Sequence, residues 1–372
     1  MYLTSLNDSE NMNKQLTRRE RLERCYSYQE VDRPAVYSRT GFPRNDPTYD
    51  KLKAYLQAHT ELKFPWSGWR ETSYPTEHYK EAYTEDFERH ITILHTPAGD
   101  LRSTTLAGLK GQPGMTETYL LKDREDAEKY LSLPMPEVSG DVSSFFILKD
   151  KVGDTGIVDV SLGFNPGGAV ASLFGTDAFA IMSVLERDII HELCQRQMNI
   201  IINRLKFLLD NKIGPFFSMA GQEYIVPPLH SPEDFLDFNY KYDKPIIDLI
   251  HDSNGYIHIH CHASVKKVFK YFVDMGVNVL HPFEAPPMGD ITAVEAKNLA
   301  RGRMCLEGNI QIDRMYDATP EEIRQETEQL IKDVFDDQKG LIVSPTASPF
   351  IYGKGEKCFP QYKAMIDTVI GL

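Results

Sequence analysis

The sequence predicts an α/β fold, namely a (β/α)8 barrel, or TIM barrel, with a hairpin-containing insertion after its first strand. From about residue 155 onward, short apolar runs alternate with stretches of helical pattern. Strictly alternating strands and helices form parallel sheets with right-handed crossovers. No Gly-rich dinucleotide fingerprint opens a helix, which disfavours the runner-up, an open doubly wound sheet.

The first elements are a polar tail, a helix and a strand. Residues 1–15 are polar, and we expect them to form a flexible tail. Thr17 is followed three residues later by Glu20, which is the capping-box pattern of a helix start. The apolar run at 34–39 predicts the first strand.

Residues from about 60 to 130 differ in character and form the predicted insertion. The runs 90–95 and 101–106 are rich in Thr and apolar residues, and they flank the turn sequence Pro97-Ala98-Gly99-Asp100. Two such runs around a Gly-containing turn predict a β-hairpin. An eighth barrel strand is expected near this region, because the rest of the chain supplies seven.

Beyond the insertion, the barrel elements follow in order. The predicted strands are the apolar runs 156–162, 215–220, 256–260, 277–281, 304–306 and 341–343. The predicted helices cover 231–252, 264–275, 293–301 and 319–337. The last begins Thr319-Pro320-Glu321-Glu322, with a cap residue, a Pro in the first turn and acidic residues near the positive end of the helix dipole. We therefore interpret residues 1–372 as a single barrel domain.

Composition excludes several classes of function. The chain has 372 residues and a formal net charge of −13, which argues against non-specific nucleic-acid binding because that binding relies on Lys and Arg. No apolar run approaches the roughly 20 residues of a membrane helix, and the polar N-terminus lacks a signal peptide. Five widely spaced cysteines without a CxxC motif are typical of a reduced, cytoplasmic enzyme.

Polar side chains follow nearly every predicted strand. In a barrel, the active site forms where strands end and the loops to the next helices begin. These positions supply the candidate site residues Arg39, Gln222, Glu223, Tyr224, His260, His262, Glu284, Asn309 and Thr346. The convergence indicates an enzyme that acts on a small molecule.

The densest candidate cluster consists of histidines. Six of the eleven histidines lie between His230 and His281. Because strand side chains alternate between faces, His260 and His262 share one face. With Glu284 they would form a His2Glu set, which is typical of catalytic zinc with an open position. Direct substrate contact, proton transfer and a purely structural role remain open for both histidines.

Two further residues are candidates for the chemistry. Glu223 lies in an otherwise apolar segment, where an unpaired carboxylate is costly to bury, and we predict a catalytic role for it. Arg39 either binds the anionic end of a substrate or forms an ion pair at the barrel floor. Gln222, Tyr224, Asn309 and Thr346 are predicted substrate contacts.

Several motifs together give the chain a family resemblance. They are Thr17-Arg18-Arg19-Glu20-Arg21, Asp32-Arg33-Pro34, Ser231-Pro232-Glu233-Asp234-Phe235, Gly308-Asn309-Ile310, Thr319-Pro320-Glu321-Glu322-Ile323 and Tyr362-Lys363-Ala364-Met365. With them, the chain resembles the uroporphyrinogen decarboxylase superfamily, (β/α)8 barrels that include the methylcobalamin:coenzyme M methyltransferases. The likeness extends over most of the chain.

The methyltransferase branch of that superfamily implies the leading hypothesis. It carries a His-x-Cys zinc pair, which falls on His260 and His262 with His in place of Cys, and a nearby Glu, which falls on Glu284. The late zinc-binding Cys falls near Thr346, a poor ligand. The resemblance thus implies a zinc-dependent methyltransferase with a corrinoid, or cobalamin, as methyl carrier. The chain shows no cobalamin-binding segment of its own, so the corrinoid would be a free cofactor or belong to a separate corrinoid protein.

The decarboxylase branch implies the alternative, a metal-free decarboxylase of uroporphyrinogen or a related carboxylate. The chain keeps Arg39, Gly41 and Arg44 of that branch's Arg-rich stretch. It lacks a convincing counterpart of the Asp that holds the pyrroles, and the late His is missing from 344–349. A third hypothesis is a non-catalytic corrinoid-binding or scaffold protein.

Overall fold

The computed structural model describes residues 15–110 and 113–372. Of the predicted tail at 1–15, only the last residue lies within the described residues. The strands are β1 Ala35–Val36, β2 Leu62–Trp66, β3 Arg70–Glu71, β4 Thr76–Ala82, β5 Phe87–Thr96, β6 Gly99–Gly108, β7 Met115–Thr118, β8 Val138–Ser139, β9 Gly156–Phe164, β10 Phe216–Ala220, β11 Tyr256–His260, β12 Val279–His281, β13 Cys305–Ile310 and β14 Leu341–Pro345.

Eight parallel strands form the main sheet, which confirms the predicted fold class. Their spatial order is β1-β14-β13-β12-β11-β10-β9-β2. The sheet curls until its two outer strands approach, since the Glu61 backbone N–H donates to the Val36 carbonyl at 3.0 Å. The result is a barrel-like arrangement in which strands and helices alternate along the chain.

The eighth strand lies inside the region predicted as the insertion. It is β2, which pairs with β9, so the inserted segment follows the second barrel strand instead of the first. The apolar pattern of this strand is interrupted by Lys63 and Pro65. The interruption hid the strand from the sequence, because a buried strand of a parallel sheet usually shows a continuous apolar run.

The predicted hairpin is confirmed. β5 and β6 pair antiparallel from Phe87 with Gly108 to Thr96 with Gly99, and they form the centre of a four-stranded sheet in the order β4-β5-β6-β7. Arg196 ties this insertion to the barrel, because its guanidinium donates to the carbonyls of Leu133 at 2.8 Å and Pro134 at 2.7 Å.

The helices surround the main sheet. They are α1 Arg18–Tyr26, α2 Asp50–His59, α3 Arg124–Leu131, α4 Ser143–Val152, α5 Pro166–Phe174, α6 Thr176–Leu185, α7 Arg187–Asp210, α8 Pro232–Asp234, α9 Lys241–Asp252, α10 Phe269–Met275, α11 Ala293–Ala300, α12 Arg314–Asp317, α13 Pro320–Val334 and α14 Gly355–Ile370. A π-helical segment, Phe235–Tyr240, joins α8 to α9. Within the described ranges, no single helix is long and apolar enough to cross a membrane; α5 and α6 pass that test only together, across a bend of 111°.

Local capping signals were reliable guides to where helices begin. Thr17 with Glu20 and Thr319 with Glu322 both form complete capping boxes. The helix predicted from 264 begins only at Phe269, since the Lys266 backbone N–H donates to the Asp290 carboxylate at 2.9 Å, outside any helix. A hydrogen bond to a side chain in a distant loop therefore takes the place of the first turn of the predicted helix.

Alternation along the barrel strands separates the core from the barrel interior. On β11, Ile257 and Ile259 are buried in the core between sheet and helices. His258 and His260 point the other way and line an interior cavity. Fully burying one such isoleucine stabilises the fold by about 1.5–3 kcal/mol, so the core holds the strand in the register that directs its histidines inward.

Candidate active site

A cavity of about 380 Å³ lies inside the barrel and reaches the carboxyl ends of its strands. Residues at strand ends and in the loops that follow form its rim: Arg39, Thr40, Gly41, Gly163, Phe164, Ala220, His260 and Ser348. Charged and polar residues within the strands, or directly after β1 in the case of Tyr37, form its floor: Tyr37, Lys63, Asp159, Ser161, Ser218, His258 and Glu307. The position agrees with the active-site end of (β/α)8 barrels.

Arg39, His260 and His281 form a chain of nitrogen contacts at the rim. Arg39 Nη1 lies 3.1 Å from His260 Nδ1, which lies 2.8 Å from His281 Nδ1. A guanidinium only donates, so His260 Nδ1 accepts. His281 Nε2 lies 3.0 Å from the Pro345 carbonyl and must donate to it.

With these tautomers, neither of the two facing Nδ1 atoms carries a proton. A neutral His281 that donates from Nε2 presents Nδ1 as an acceptor, directly opposite the acceptor Nδ1 of His260. Burial and the neighbouring Arg39 charge lower the pKa of both imidazoles, which keeps them neutral. An additional proton or other cation would satisfy both nitrogens.

His262 and Glu284 form a second contact beside this chain. His262 Nδ1 lies 3.0 Å from Glu284 Oε2, and Glu284 is buried whereas His262 is 37% exposed. The rings of His260 and His262 meet edge to face with centroids 4.7 Å apart. The three predicted ligands therefore lie next to one another. As they stand, however, the described residues contain no group of three or more His, Cys, Asp or Glu side chains spaced to hold a metal ion.

Glu223 lies in a short helical turn, Gln222–Ile225, directly after β10. Its Oε2 accepts from the Gly221 backbone N–H at 3.0 Å. Burial raises the pKa of the Glu223 carboxyl, although this hydrogen bond and the charges of His262 and Arg39 act in the opposite direction. The side chain thus sits near the rim residues and keeps its proton to higher pH than an exposed glutamate.

The other predicted substrate contacts are not among the cavity-lining residues. Gln222 is fully buried and donates to Asp243 Oδ2 at 2.9 Å. Thr346 is buried and accepts from the Ile312 backbone N–H at 3.2 Å. Both residues make contacts that position loops.

The remaining two predicted contacts differ from each other. Tyr224 packs edge to face on the rim residue Phe164, with ring centroids 5.7 Å apart. Asn309 Nδ2 donates to the Phe283 carbonyl at 2.6 Å, while its buried Oδ1 has no hydrogen-bond partner. Gln222 shares this feature, since its buried Oε1 also has no hydrogen-bond partner.

The cavity floor was missed by the sequence analysis. Lys63 of β2 forms a buried ion pair with Glu307 of β13, and His258 Nε2 lies 3.4 Å from Glu307 Oε2. Although burial alone would raise it, the Lys63 and His258 charges hold the pKa of Glu307 well below its usual value. On β9, Asp159 Oδ2 accepts from the Ser218 hydroxyl at 2.9 Å, and burial raises the pKa of Asp159.

A signal for the floor was present in the sequence. Lys63, Asp159 and Glu307 each interrupt a strand that is otherwise largely apolar. A charged side chain in such a position must be paired or used, since its burial is costly. Applied to β9 and β13, this rule identifies Asp159 and Glu307, whereas Lys63 lies in β2, the strand that the sequence pattern did not reveal.

Comparison with known proteins agrees with the geometry. Residues 165–349 match the sequence model of the family described as uroporphyrinogen decarboxylase (URO-D). No curated protein matches the chain in sequence. A methyltransferase from Methanosarcina mazei has a similar structure, with a TM-score of 0.61, 15% identity, and coverage of 96% of this chain and 99% of that one.

A putative vitamin-B12 independent methionine synthase from Listeria monocytogenes is more distant. Its TM-score is 0.42 at 10% identity, covering 65% of this chain and 73% of that chain. At such identities the two structures inform the fold alone, and of the two only the first is similar enough to do so.

Proposed function

The chain belongs to the uroporphyrinogen decarboxylase superfamily, and from this premise we propose that it is a methyltransferase acting on a small organic anion. A corrinoid, free or bound to a separate protein, would carry the methyl group, and zinc would assist the transfer. The observation that carries the proposal is the contact of His260 and His262 with each other and of His262 with Glu284, at the rim beside Arg39.

The donor set fits zinc in composition, but its present arrangement does not. Two neutral imidazoles and one carboxylate are a known catalytic zinc set. His260 directs Nδ1 toward Arg39, at 3.1 Å, so a shared ion requires this ring to reorient. Bound zinc would act as a Lewis acid or lower the pKa of a coordinated group.

The chain's own residues have roles that do not depend on zinc. Arg39 binds the anionic end of the substrate, since its guanidinium reaches the rim and contacts the neutral His260 ring there. Glu223 donates or accepts a proton, because its raised pKa lies closer to neutrality than that of a free glutamate.

A metal-free decarboxylase is the second candidate, and Asp159 favours it. Loss of carbon dioxide leaves a carbanion that needs a proton, and a buried carboxyl with a raised pKa is suited to supply one. Asp159 and Arg39 line the same cavity, so a carboxylate held by Arg39 would lie in a site that also contains the proton donor.

Elemental analysis separates the two candidates. The full chain, purified without added metal, is measured beside His260→Ala and the control His59→Ala, a histidine on the exposed face of α2. We expect close to one zinc per chain in the wild type and the control, and little in His260→Ala. Absence of zinc from the wild type would contradict the zinc-dependent mechanism, and release of carbon dioxide from carboxylate substrates, lost in Arg39→Met, would then support the decarboxylase.

A further inference from the structure

Two carboxylate oxygens at the cavity floor are buried without a hydrogen-bond partner. They are Asp159 Oδ1 and Glu307 Oε1. The second oxygen of each carboxyl is used, by the Ser218 hydroxyl and by the Lys63 ammonium respectively. An unsatisfied buried acceptor costs about 1–3 kcal/mol. Because both residues line the cavity, a bound molecule can supply the missing donor.

The charges around these oxygens restrict that donor. Lys63 neutralises Glu307, and burial raises the pKa of Asp159, which disfavours its negative charge. A cationic donor would lie close to the Lys63 ammonium and would be repelled by it. A neutral hydroxyl donates equally well and meets no such repulsion.

The rim determines which chemical group the other end of the bound molecule carries. Arg39 contributes a positive charge at the rim, where its contact is the uncharged His260 ring. The cavity of about 380 Å³ joins rim and floor, and it falls in the size range of sites for small ligands. One small molecule can therefore reach both ends.

We infer that this cavity binds a small organic anion that carries a hydroxyl group. The anionic group contacts Arg39, and the hydroxyl donates to Asp159 Oδ1, since the Lys63 ammonium already pairs with Glu307. The inference rests on the proposed function in that it assigns a substrate class to the same cavity. It requires neither zinc nor a methyl carrier.

Binding of matched pairs of carboxylates to the full chain tests this inference. The pairs, each measured by isothermal titration calorimetry, are glycolate with acetate, 3-hydroxypropionate with propionate, 4-hydroxybutyrate with butyrate, and 4-hydroxybenzoate with benzoate. For at least one pair we expect the hydroxylated member to bind about tenfold tighter, as one hydrogen bond to a buried carboxyl provides.

Substitutions in the protein show which residue produces the preference for the hydroxylated compound. Asp159→Ala and the better-filling Asp159→Val should reduce the hydroxyl preference to less than about threefold. Asp154→Ala, which removes an exposed carboxylate outside the cavity just before the same strand, should retain it. Arg39→Met should weaken both members of a pair equally and leave their ratio unchanged.

Two results would overturn the inference. One is the absence of a hydroxyl preference in every pair, including failure of all eight compounds to bind. The other is a preference that survives both Asp159 variants. Loss of zinc or of methyl transfer would contradict only the proposed function, because the binding ratio is measured without either.

Discussion

Two buried charge clusters in this barrel differ in how completely their polar atoms are paired. At the amino ends of β1 and β2, Glu61 Oε1 accepts from Arg21 at 2.6 Å and Arg33 at 2.9 Å, and Glu61 Oε2 accepts from the Val36 backbone N–H at 2.6 Å. At the cavity floor, Asp159 and Glu307 each keep one oxygen without a partner.

The difference distinguishes a structural cluster, formed by Arg21, Arg33 and Glu61, from a binding cluster, formed by Lys63, Asp159 and Glu307. Complete pairing recovers the cost of removing charges from water, so the first cluster holds the strands together. Unused acceptors next to a cavity have a cost in the free protein that a bound molecule can remove. The same division between the two ends of the barrel is general for this fold, in which the amino end contributes stability and the carboxyl end contributes function.

The largest expected effect concerns the structural cluster. Glu61→Ala removes one of the two carboxylates that pair with the buried Arg21 guanidinium, the other being Asp32, and it also removes the acceptor of Arg33. We expect the free energy of unfolding to fall by about 3 kcal/mol. Urea denaturation measures it. Glu23→Ala is the matched control, since it removes the partly exposed Arg19–Glu23 pair and should cost less than about 1 kcal/mol. A small loss in Glu61→Ala would contradict the structural role.

The next effect concerns Asp243, a buried carboxyl with hydrogen bonds but no described cation partner. It accepts from Asn165 at 3.0 Å and Gln222 at 2.9 Å, and burial raises its pKa to about 7. The folded state then binds a proton that the unfolded state releases near pH 4. Stability should therefore decline as the pH rises from about 4 to 7.

Asp243→Asn removes the ionisable group, so it should flatten this decline. Denaturation midpoints measured at several pH values in that window test the prediction. An unchanged pH profile in the variant would show that Asp243 is ionised throughout the window. Asp243 would then resemble Glu61, a buried carboxylate whose oxygens are both paired.

The smallest effect concerns the cavity floor and has the opposite sign. Asp159→Val replaces a buried carboxyl that has an unpaired oxygen with an apolar side chain of similar size, and we expect stability at pH 7 to rise by about 1 kcal/mol. Thermal unfolding of the ligand-free protein measures it. A clear loss of stability would assign Asp159 to the structural cluster. The two ends of the barrel would then not differ in how their buried carboxylates contribute to stability.

Much of the fold was predictable from local pattern. The β5–β6 hairpin, the capping boxes at Thr17 and Thr319, and the strand-helix alternation are all written in short stretches of sequence, because turn and cap preferences depend on neighbouring residues. β2 was not predictable in this way. Its Lys63 is tolerated inside the barrel only because Glu307, far away in the chain, pairs with it.

The candidate site was also predictable only in part. His260 lines the cavity, while His262 and Glu284 lie in contact beside it, as the ends of neighbouring strands require. Gln222 and Thr346 also follow strands, yet their side chains face Asp243 and the Ile312 backbone. Sequence position shows that a residue follows a strand, but not the direction in which a loop turns its side chain.

Local sequence patterns were enough to predict the barrel class, the presence of an insertion and the end of the barrel where polar groups collect. The tertiary structure alone decided which of those groups face one another. Whether a buried polar atom is satisfied depends on partners brought from distant strands, as with Lys63 and Glu307 or Asp159 and Ser218. Hydrogen bonds and ion pairs act over a few ångströms, and only the closed sheet brings these residues within that range.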